Sequence, residues 1–214
     1  LTRMPTGHEH RNVHERMYRA LHHGLSLDSR PLLMMPSKEF SSLSAREIEA
    51  LSAYFVSLAP VERELPESVL GPLGRVLLAA GQLDGFLSAE VIDHETPPIA
   101  QAPPRGTVAY GEHAAQLGAG CHQPDFGGGR MSHGGPAAPP AANLTRAKTG
   151  LGTWSEEDFV TALRHGRRPD GSSIDSKYMP WKAVGRAEED ELRALWRYLR
   201  SLPPVERDVD APAP

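Results

Sequence analysis

Cys121 and His122 stand side by side in the run Leu117-Gly118-Ala119-Gly120-Cys121-His122-Gln123-Pro124-Asp125-Phe126-Gly127-Gly128-Gly129, and Cys121 is the sole cysteine of the chain. A thiol followed directly by an imidazole is the rear half of C-x-x-C-H, the haem-attachment pattern. In that pattern the thiol forms a thioether to a haem vinyl group, and the next imidazole ligates iron from the proximal side. Gly118 stands where the first cysteine would be, so the motif is half present.

Low-spin iron that only transfers electrons needs a second axial ligand, and a methionine thioether is a common choice that raises the reduction potential. Met179 fits that role, in Tyr178-Met179-Pro180-Trp181, after the Cys-His pair and ahead of a C-terminal helix. Pro180 has a fixed φ and no N–H, so it stiffens the loop that would present the sulfur. Taken alone, Met179 reads more simply as a core gap-filler, the ordinary use of a flexible thioether. The Cys-His pair upstream and the helix downstream shift the balance toward ligation.

The elements that would position these side chains are helices. Glu188, Glu189 and Asp190 place negative charge at a helix start, where the helix dipole favours it. Leu192, Leu195, Trp196 and Leu199 fall at i, i+3, i+4 and i+7 and give that helix one apolar face, which Pro203-Pro204 ends. Ser155 is expected to cap a second helix stopped by Gly166. Tyr110 to Leu117 reads as a short helix ending at the glycines before Cys121. Towards the N-terminus, Asn12 or His14 is expected to open a helix that ends before Gly24. Ser44 and Glu47 form a capping box ahead of Ile48, Leu51, Phe55 and Leu58. A further helix is expected near Leu73 to Ala80. One carbonyl of the segment holding Pro136, Pro139 and Pro140 is expected to orient His122 through its second ring nitrogen.

The chain also repeats itself. A shift of 144 positions places Met35-Pro36 on Met179-Pro180, Ala50-Leu51 on Ala194-Leu195, Tyr54 on Tyr198 and Pro60-Val61-Glu62-Arg63 on Pro204-Val205-Glu206-Arg207. Upstream the shift becomes 142, with Ala20-Leu21 on Ala162-Leu163 and His23-Gly24 on His165-Gly166. Leu1-Thr2-Arg3 then matches Leu144-Thr145-Arg146. So many identities in one order mark two copies of one unit. The second copy has its Cys-His segment about two dozen residues before Leu144. The equivalent segment of the first would lie before residue 1, so the expectation is a first unit incomplete at its N-terminus. Met35 then becomes a candidate distal ligand, an ordinary buried methionine being an equal reading.

Aromatic residues make up 6% of the 214 residues, and Gly and Pro number 20 each. Loops are therefore abundant and the apolar core is thin, which suits a small domain whose centre is filled by a large flat apolar cofactor. A net charge of −4 argues against nucleic acid as a partner. No apolar run approaches a membrane span. Ten histidines invite a metal-site reading. His8, His10 and His14 cluster, but no HExxH spacing or cysteine pair accompanies them. His22 and His23 read as a polar surface at a helix end.

Asn143-Leu144-Thr145, Thr149-Gly150-Leu151-Gly152-Thr153-Trp154-Ser155, Ala162-Leu163-Arg164-His165-Gly166, Asp170-Gly171, Met179-Pro180 and Tyr198-Leu199-Arg200-Ser201-Leu202-Pro203-Pro204-Val205 together resemble the bacterial multi-haem class I cytochromes c. The likeness is strongest to the cytochrome c subunits of membrane-associated alcohol and sugar dehydrogenases. It covers nearly the whole chain. It implies an all-α chain of the class I cytochrome c fold in two tandem domains. The first, incomplete domain would occupy 1–66, a linker 67–106, the second domain 107–207 and a tail 208–214. It further implies haem c in the second domain, with Cys121 as thioether anchor, His122 as proximal ligand and Met179 as distal ligand. A second haem, with Met35 as distal ligand, would require a segment ahead of residue 1.

The implied role is electron carriage rather than catalysis, from a periplasmic dehydrogenase toward a quinone or terminal oxidase. The chain would then be periplasmic, on the outer face of the inner membrane, and tied to the membrane only through partners or a segment outside this sequence. The one departure is at the motif itself, since Gly111-Glu112-His113-Ala114-Ala115-Gln116-Leu117 reaches Cys121 about two residues early and with one thiol. The competing reading is a degenerate cytochrome domain kept as a non-redox docking module.

Overall fold

The computed structural model describes residues 7–59, 61, 68–83, 87–131 and 138–209, with the backbone alone for 7–12. The helices are α1 (Gly7–His22), α2 (Ser37–Phe40), α3 (Ala45–Ser57), α4 (Pro72–Ala79), α5 (Val108–His122), α6 (Glu156–His165), α7 (Trp181–Val184) and α8 (Glu189–Ser201), with a 3₁₀ turn at Ser88–Glu90. Among the described residues the extended backbone pairs only as isolated bridges, so the chain is all-α as expected. None of the described helices is long and apolar enough to cross a membrane. The chain divides into two compact units, Leu1–Ala102 and Pro103–Pro214.

The second unit is built where α5 crosses α8. Gly111 makes the crossing close, because a Cβ there would collide with the Ala194 carbonyl. Ala115, one turn on, is buried, as is Ala194. Tyr110 hydrogen-bonds Glu191, and Arg197 donates to the Gly106 carbonyl (3.0 Å), so both flanks of the crossing are tied. The core gathers Phe126, Leu151, Phe159, Leu163, Leu192, Trp196 and Leu199. The expected α8 stripe is therefore the buried one, with Leu195 at its edge.

Two helices start as their sequence directs. Ser155 caps α6 in a capping box with Asp158, and Gly166 ends it in the left-handed conformation. Glu188 and Glu191 form the same reciprocal box at α8. α5 runs on where a stop was expected. It continues through Gly118 and Gly120 to His122, and the chain turns at Gln123 (φ 68°). Glycine lowers helix stability by about 1 kcal/mol relative to alanine without forbidding the helix. Packing of α5 on α8 outweighs that cost.

The first unit repeats the same geometry. The bounds of α2 and α3 shifted by 144 are those of α7 and α8. Ser44 and Glu47 form a capping box where Glu188 and Glu191 do. The bridge Leu25–Pro31 has its counterpart in Arg167–Ser173. Leu32 N–H donates to the Gly24 carbonyl (2.8 Å) as Ile174 N–H donates to that of Gly166 (2.7 Å). The core here is small: Leu21, Leu43 and Ile48, flanked by Met17, Tyr18, Met35, Phe40 and Leu51.

One difference between the units is sharp. Ala194 is fully buried beneath α5, whereas its counterpart Ala50 is exposed, and Tyr54, the counterpart of Tyr198, is 59% exposed. Among the described residues the first unit has no counterpart of α5. Segment 67–106, expected as a linker, holds α4 and the 3₁₀ turn, whose Ser88 and Ala89 are buried. Ser88 Oγ donates to the Met35 carbonyl (2.5 Å).

His22 departs from its expected place on a polar surface. It is buried, with Nδ1 3.1 Å from the Ser41 carbonyl and Nε2 3.3 Å from that of Thr96. His23 stays at the rim, its Nδ1 2.9 Å from Nδ1 of His94. Burial first, then the neighbouring His22 and His94, push the His23 imidazolium below its ordinary range. The side chains of His8 and His10, and Pro136, lie outside the described residues. Among the described residues no three His, Cys, Asp or Glu side chains converge as metal ligands would.

Candidate haem site

α5 delivers Cys121 and His122 on its last turn, and burial separates the two. Cys121 is partly buried, whereas His122 is 8% exposed. The ring of His122 is oriented through Nδ1, which lies 2.8 Å from the Ala142 carbonyl oxygen. A carbonyl can only accept, so Nδ1 carries the proton. Burial pushes the imidazolium below its ordinary range, with the Ala142 bond opposing in part, so the neutral ring is favoured. In a neutral ring protonated at Nδ1, the lone pair sits on Nε2. That is the state in which histidine binds a metal, oriented by an outer carbonyl. The orienting carbonyl comes from Ala142, two residues beyond the prolines from which it was expected, because Ala141 is the residue bridged to Gly129 (2.9 and 2.8 Å).

The loop after His122 returns at once to the core. Gly128 N–H donates back to the His122 carbonyl (3.0 Å), and Leu144 N–H to that of Phe126 (2.8 Å). Phe126 is 3% exposed and meets Tyr198 edge-on. Asn143, buried, organises the next turn. Its Oδ1 accepts from Thr145 N–H (2.9 Å) and hydroxyl (2.7 Å), and its Nδ2 donates to Thr149 Oγ1 (3.1 Å) and the Val205 carbonyl (2.8 Å). All four of its hydrogen-bonding positions are used.

Met179 lies on the loop between α6 and α7. Its N–H donates to the Asp175 carbonyl (3.0 Å), and its own carbonyl accepts from Trp181 N–H (2.7 Å). The Trp181 indole N–H donates to the Ile174 carbonyl (2.9 Å) and its ring fills the space beside Gly166. The Met179 side chain is partly buried and packs on the same cluster that Ala119 borders and Phe126 joins, residues on either side of His122. Leu144, Trp154, Val160 and Val184 rim that cluster, also partly buried. Met35 occupies the matching place in the first unit, partly buried against Leu21, Leu43 and Ile48. No cysteine stands near it in sequence.

This donor set fits a haem iron: one neutral, outer-oriented imidazole, one thioether on a stiffened loop, a thiol beside the imidazole and a rim of half-covered apolar side chains. The groove next to the His122 loop differs in kind. It is open to solvent, and Asp125, Arg130 and Arg207 bring charge to a wall that also includes Gln123, Pro124 and two glycines. Sequence reasoning missed Asn143 and Arg207 as parts of the support. Asn143-Leu144-Thr145 and the repeated Pro-Val-Glu-Arg run were the available signals.

Comparison with known proteins gives the class: the chain is similar to the cytochrome c subunits of bacterial dehydrogenases. It is 31% identical over 217 residues to the cytochrome c subunit of alcohol dehydrogenase (quinone) from Komagataeibacter europaeus, an alignment covering 87% of this chain and 43% of that one. The fructose dehydrogenase cytochrome subunit of Gluconobacter japonicus is 30% identical over 147 residues, 65% of this chain and 28% of that one. The gluconate 2-dehydrogenase cytochrome c subunit of Pantoea cypripedii is 32% identical over 119 residues, 50% of this chain and 26% of that one. The chain thus spans less than half the length of these relatives. No family model matches it.

Proposed function

We propose that the second unit is a class I cytochrome c domain that binds one haem c, with His122 as proximal and Met179 as distal ligand and Cys121 as single thioether anchor. When bound, the haem supplies a one-electron ferric–ferrous couple. The chain's own residues do the rest. Ala142 holds the proton of His122 at Nδ1 and leaves Nε2 as donor. Pro180 and the Trp181–Ile174 bond stiffen the Met179 loop. Phe126, Leu144 and Trp154 exclude water from one side. The observation that supports this reading best is the buried, carbonyl-oriented His122 directly after the sole cysteine, in a chain related to cytochrome c subunits.

The first unit we read as the rear part of a second such domain, 1–66, with Met35 in the position of a distal ligand. The bounds shared by α2 and α7 and by α3 and α8 support this. Electrons would arrive from a periplasmic alcohol or sugar dehydrogenase and pass to a quinone or terminal oxidase. The chain would work on the outer face of the inner membrane, held there by partners, and would catalyse no bond change itself.

The test is an absorption spectrum of the full chain matured in a host with cytochrome c assembly. A low-spin spectrum in the reduced native protein and haem that stays attached through denaturation are expected, with a pyridine haemochrome band to the red of the two-thioether position. A stable chain that retains no haem would overturn the proposal and favour a docking module.

A further inference from the structure

The segment after α8 is strapped across the loop that follows His122. Val205 N–H donates to Thr145 Oγ1 (3.1 Å) and its carbonyl accepts from Asn143 Nδ2 (2.8 Å). Arg207 then reaches the loop. Its Nη2 lies 2.7 Å from Asp125 Oδ2, and its Nη1 lies 3.2 Å from Asp125 Oδ1 and 2.9 Å from the Gly128 carbonyl. Gly127 fits underneath, since a Cβ there would lie 2.7 Å from both Arg207 Nη1 and Val205 Cγ1.

The clamped loop is not one the backbone would choose. Gln123 (φ 68°) and Phe126 (φ 55°) are non-glycine residues in the left-handed region, and Gly128 (φ 72°) and Gly129 (φ 115°) follow. Non-glycine residues persist there only where the surroundings impose it. Gly128 also abuts Ala142. A Cβ on Gly128 would stand 2.7 Å from the Ala142 carbonyl oxygen, the same oxygen that accepts from His122 Nδ1 at 2.8 Å. Three contacts therefore lead from Arg207 to the imidazole: guanidinium to the Gly128 carbonyl, Gly128 to Ala142, and the Ala142 carbonyl to Nδ1.

We propose that Arg207 is a positioning residue for His122. It pins Asp125 and Gly128 so that the Ala142 carbonyl meets Nδ1 squarely. A firm Nδ1–H···O bond raises the donor strength of Nε2. The electronic consequence rests on the haem reading; the mechanical one does not. The ion pair is too exposed to matter much for global stability, its side chains being 38% and 44% accessible. Its effect is therefore local. Lysine, a single point donor, reproduces the bond to Gly128 without the fork to Asp125.

The test compares the full-length wild type with Arg207→Gln, Arg207→Lys and Asp125→Asn, using nitrogen-labelled histidine and NMR. Arg207→Gln is expected to speed exchange of the His122 Nδ1 proton by about tenfold, the effect of one weakened hydrogen bond, with helix content unchanged. Arg207→Lys is expected to recover part of that protection. In haem-loaded protein Arg207→Gln is expected to raise the midpoint potential, because a weaker Nδ1 bond makes Nε2 a poorer donor to ferric iron. Unchanged exchange and ring shifts of His122 in folded Arg207→Gln would overturn the proposal. Should that variant fail to fold, unchanged exchange in both Arg207→Lys and Asp125→Asn would do so. A wild type that binds no haem yet shows the exchange response would sink the haem reading and leave the positioning role standing.

Discussion

An imidazole serves iron only if one nitrogen is kept bare while the other is tied down. His122 meets both demands through one carbonyl and through burial. The proposed partner is less constrained, because a thioether has no proton to manage and needs only a stiff approach. Met179→Leu keeps shape and volume and should leave the fold intact. It is expected to convert the iron from low spin to high spin and to lower its reduction potential, read by visible spectroscopy and redox titration. His122→Ala is expected to remove the low-spin spectrum even where Cys121 keeps haem attached, read by visible spectroscopy alongside the haem-to-protein ratio after purification.

Asp125 carries the pH prediction at this scale. Hydrogen bonds from Arg207 first, and from Gly127 N–H, hold its carboxyl below the ordinary value of 3.8. The folded value is the lower one, so its contribution is present above 3.8 and is lost as pH falls through the folded value. The group is largely exposed, so the contribution is below about 1 kcal/mol. The difference in unfolding free energy between wild type and Asp125→Asn is expected to vanish in acid. A difference that stays constant down to the lowest pH would show that the carboxylate charge contributes nothing.

At the scale of elements, the α5–α8 crossing carries the second unit. Its closeness depends on one hydrogen atom, the side chain of Gly111. Gly111→Val drives branched carbons into the Ala194 carbonyl. Overpacking of this kind costs roughly 1–3 kcal/mol, and more where backbone blocks the way. Thermal unfolding should register the upper end, together with loss of haem. The caps matter less. Ser155→Ala removes the Ser155–Asp158 box and is expected to cost about 1 kcal/mol by denaturant titration. That is a fraction of the crossing's effect, because α6 is also held by Phe159, Ala162 and Leu163 in the core.

At the scale of the whole molecule the chain holds two copies of one helical plan with unequal equipment. The second has α5, the sole cysteine and a core rich in aromatic residues. The first has the same α2 and α3 bounds and the same capping position, but an exposed Ala50 and Tyr54 where α5 would cross. With one Cys-His pair, the proposed reading predicts one haem per chain. A haem-to-protein ratio approaching two in this chain would contradict that count.

Features that depend on local rules were legible in the residues alone. Capping residues, apolar spacing at i, i+3 and i+4, and proline stops act within a few residues, so α3, α6 and α8 were legible to within a residue or two. The repeat was legible too, because it is a relation between residues rather than between coordinates. His122 and Met179 were legible as candidates because their side chains have a chemistry of their own. Backbone groups and contacts far apart in sequence were settled only when the chain folded. The carbonyl orienting His122 belongs to Ala142, a residue whose side chain announces nothing. α5 ran through its glycines because α8 lay against it. His22 proved buried because residues 41 and 96 close over it, and Arg207 reached Asp125 across 82 positions. A carbonyl has no letter of its own in a sequence, and a long-range contact has no local spacing.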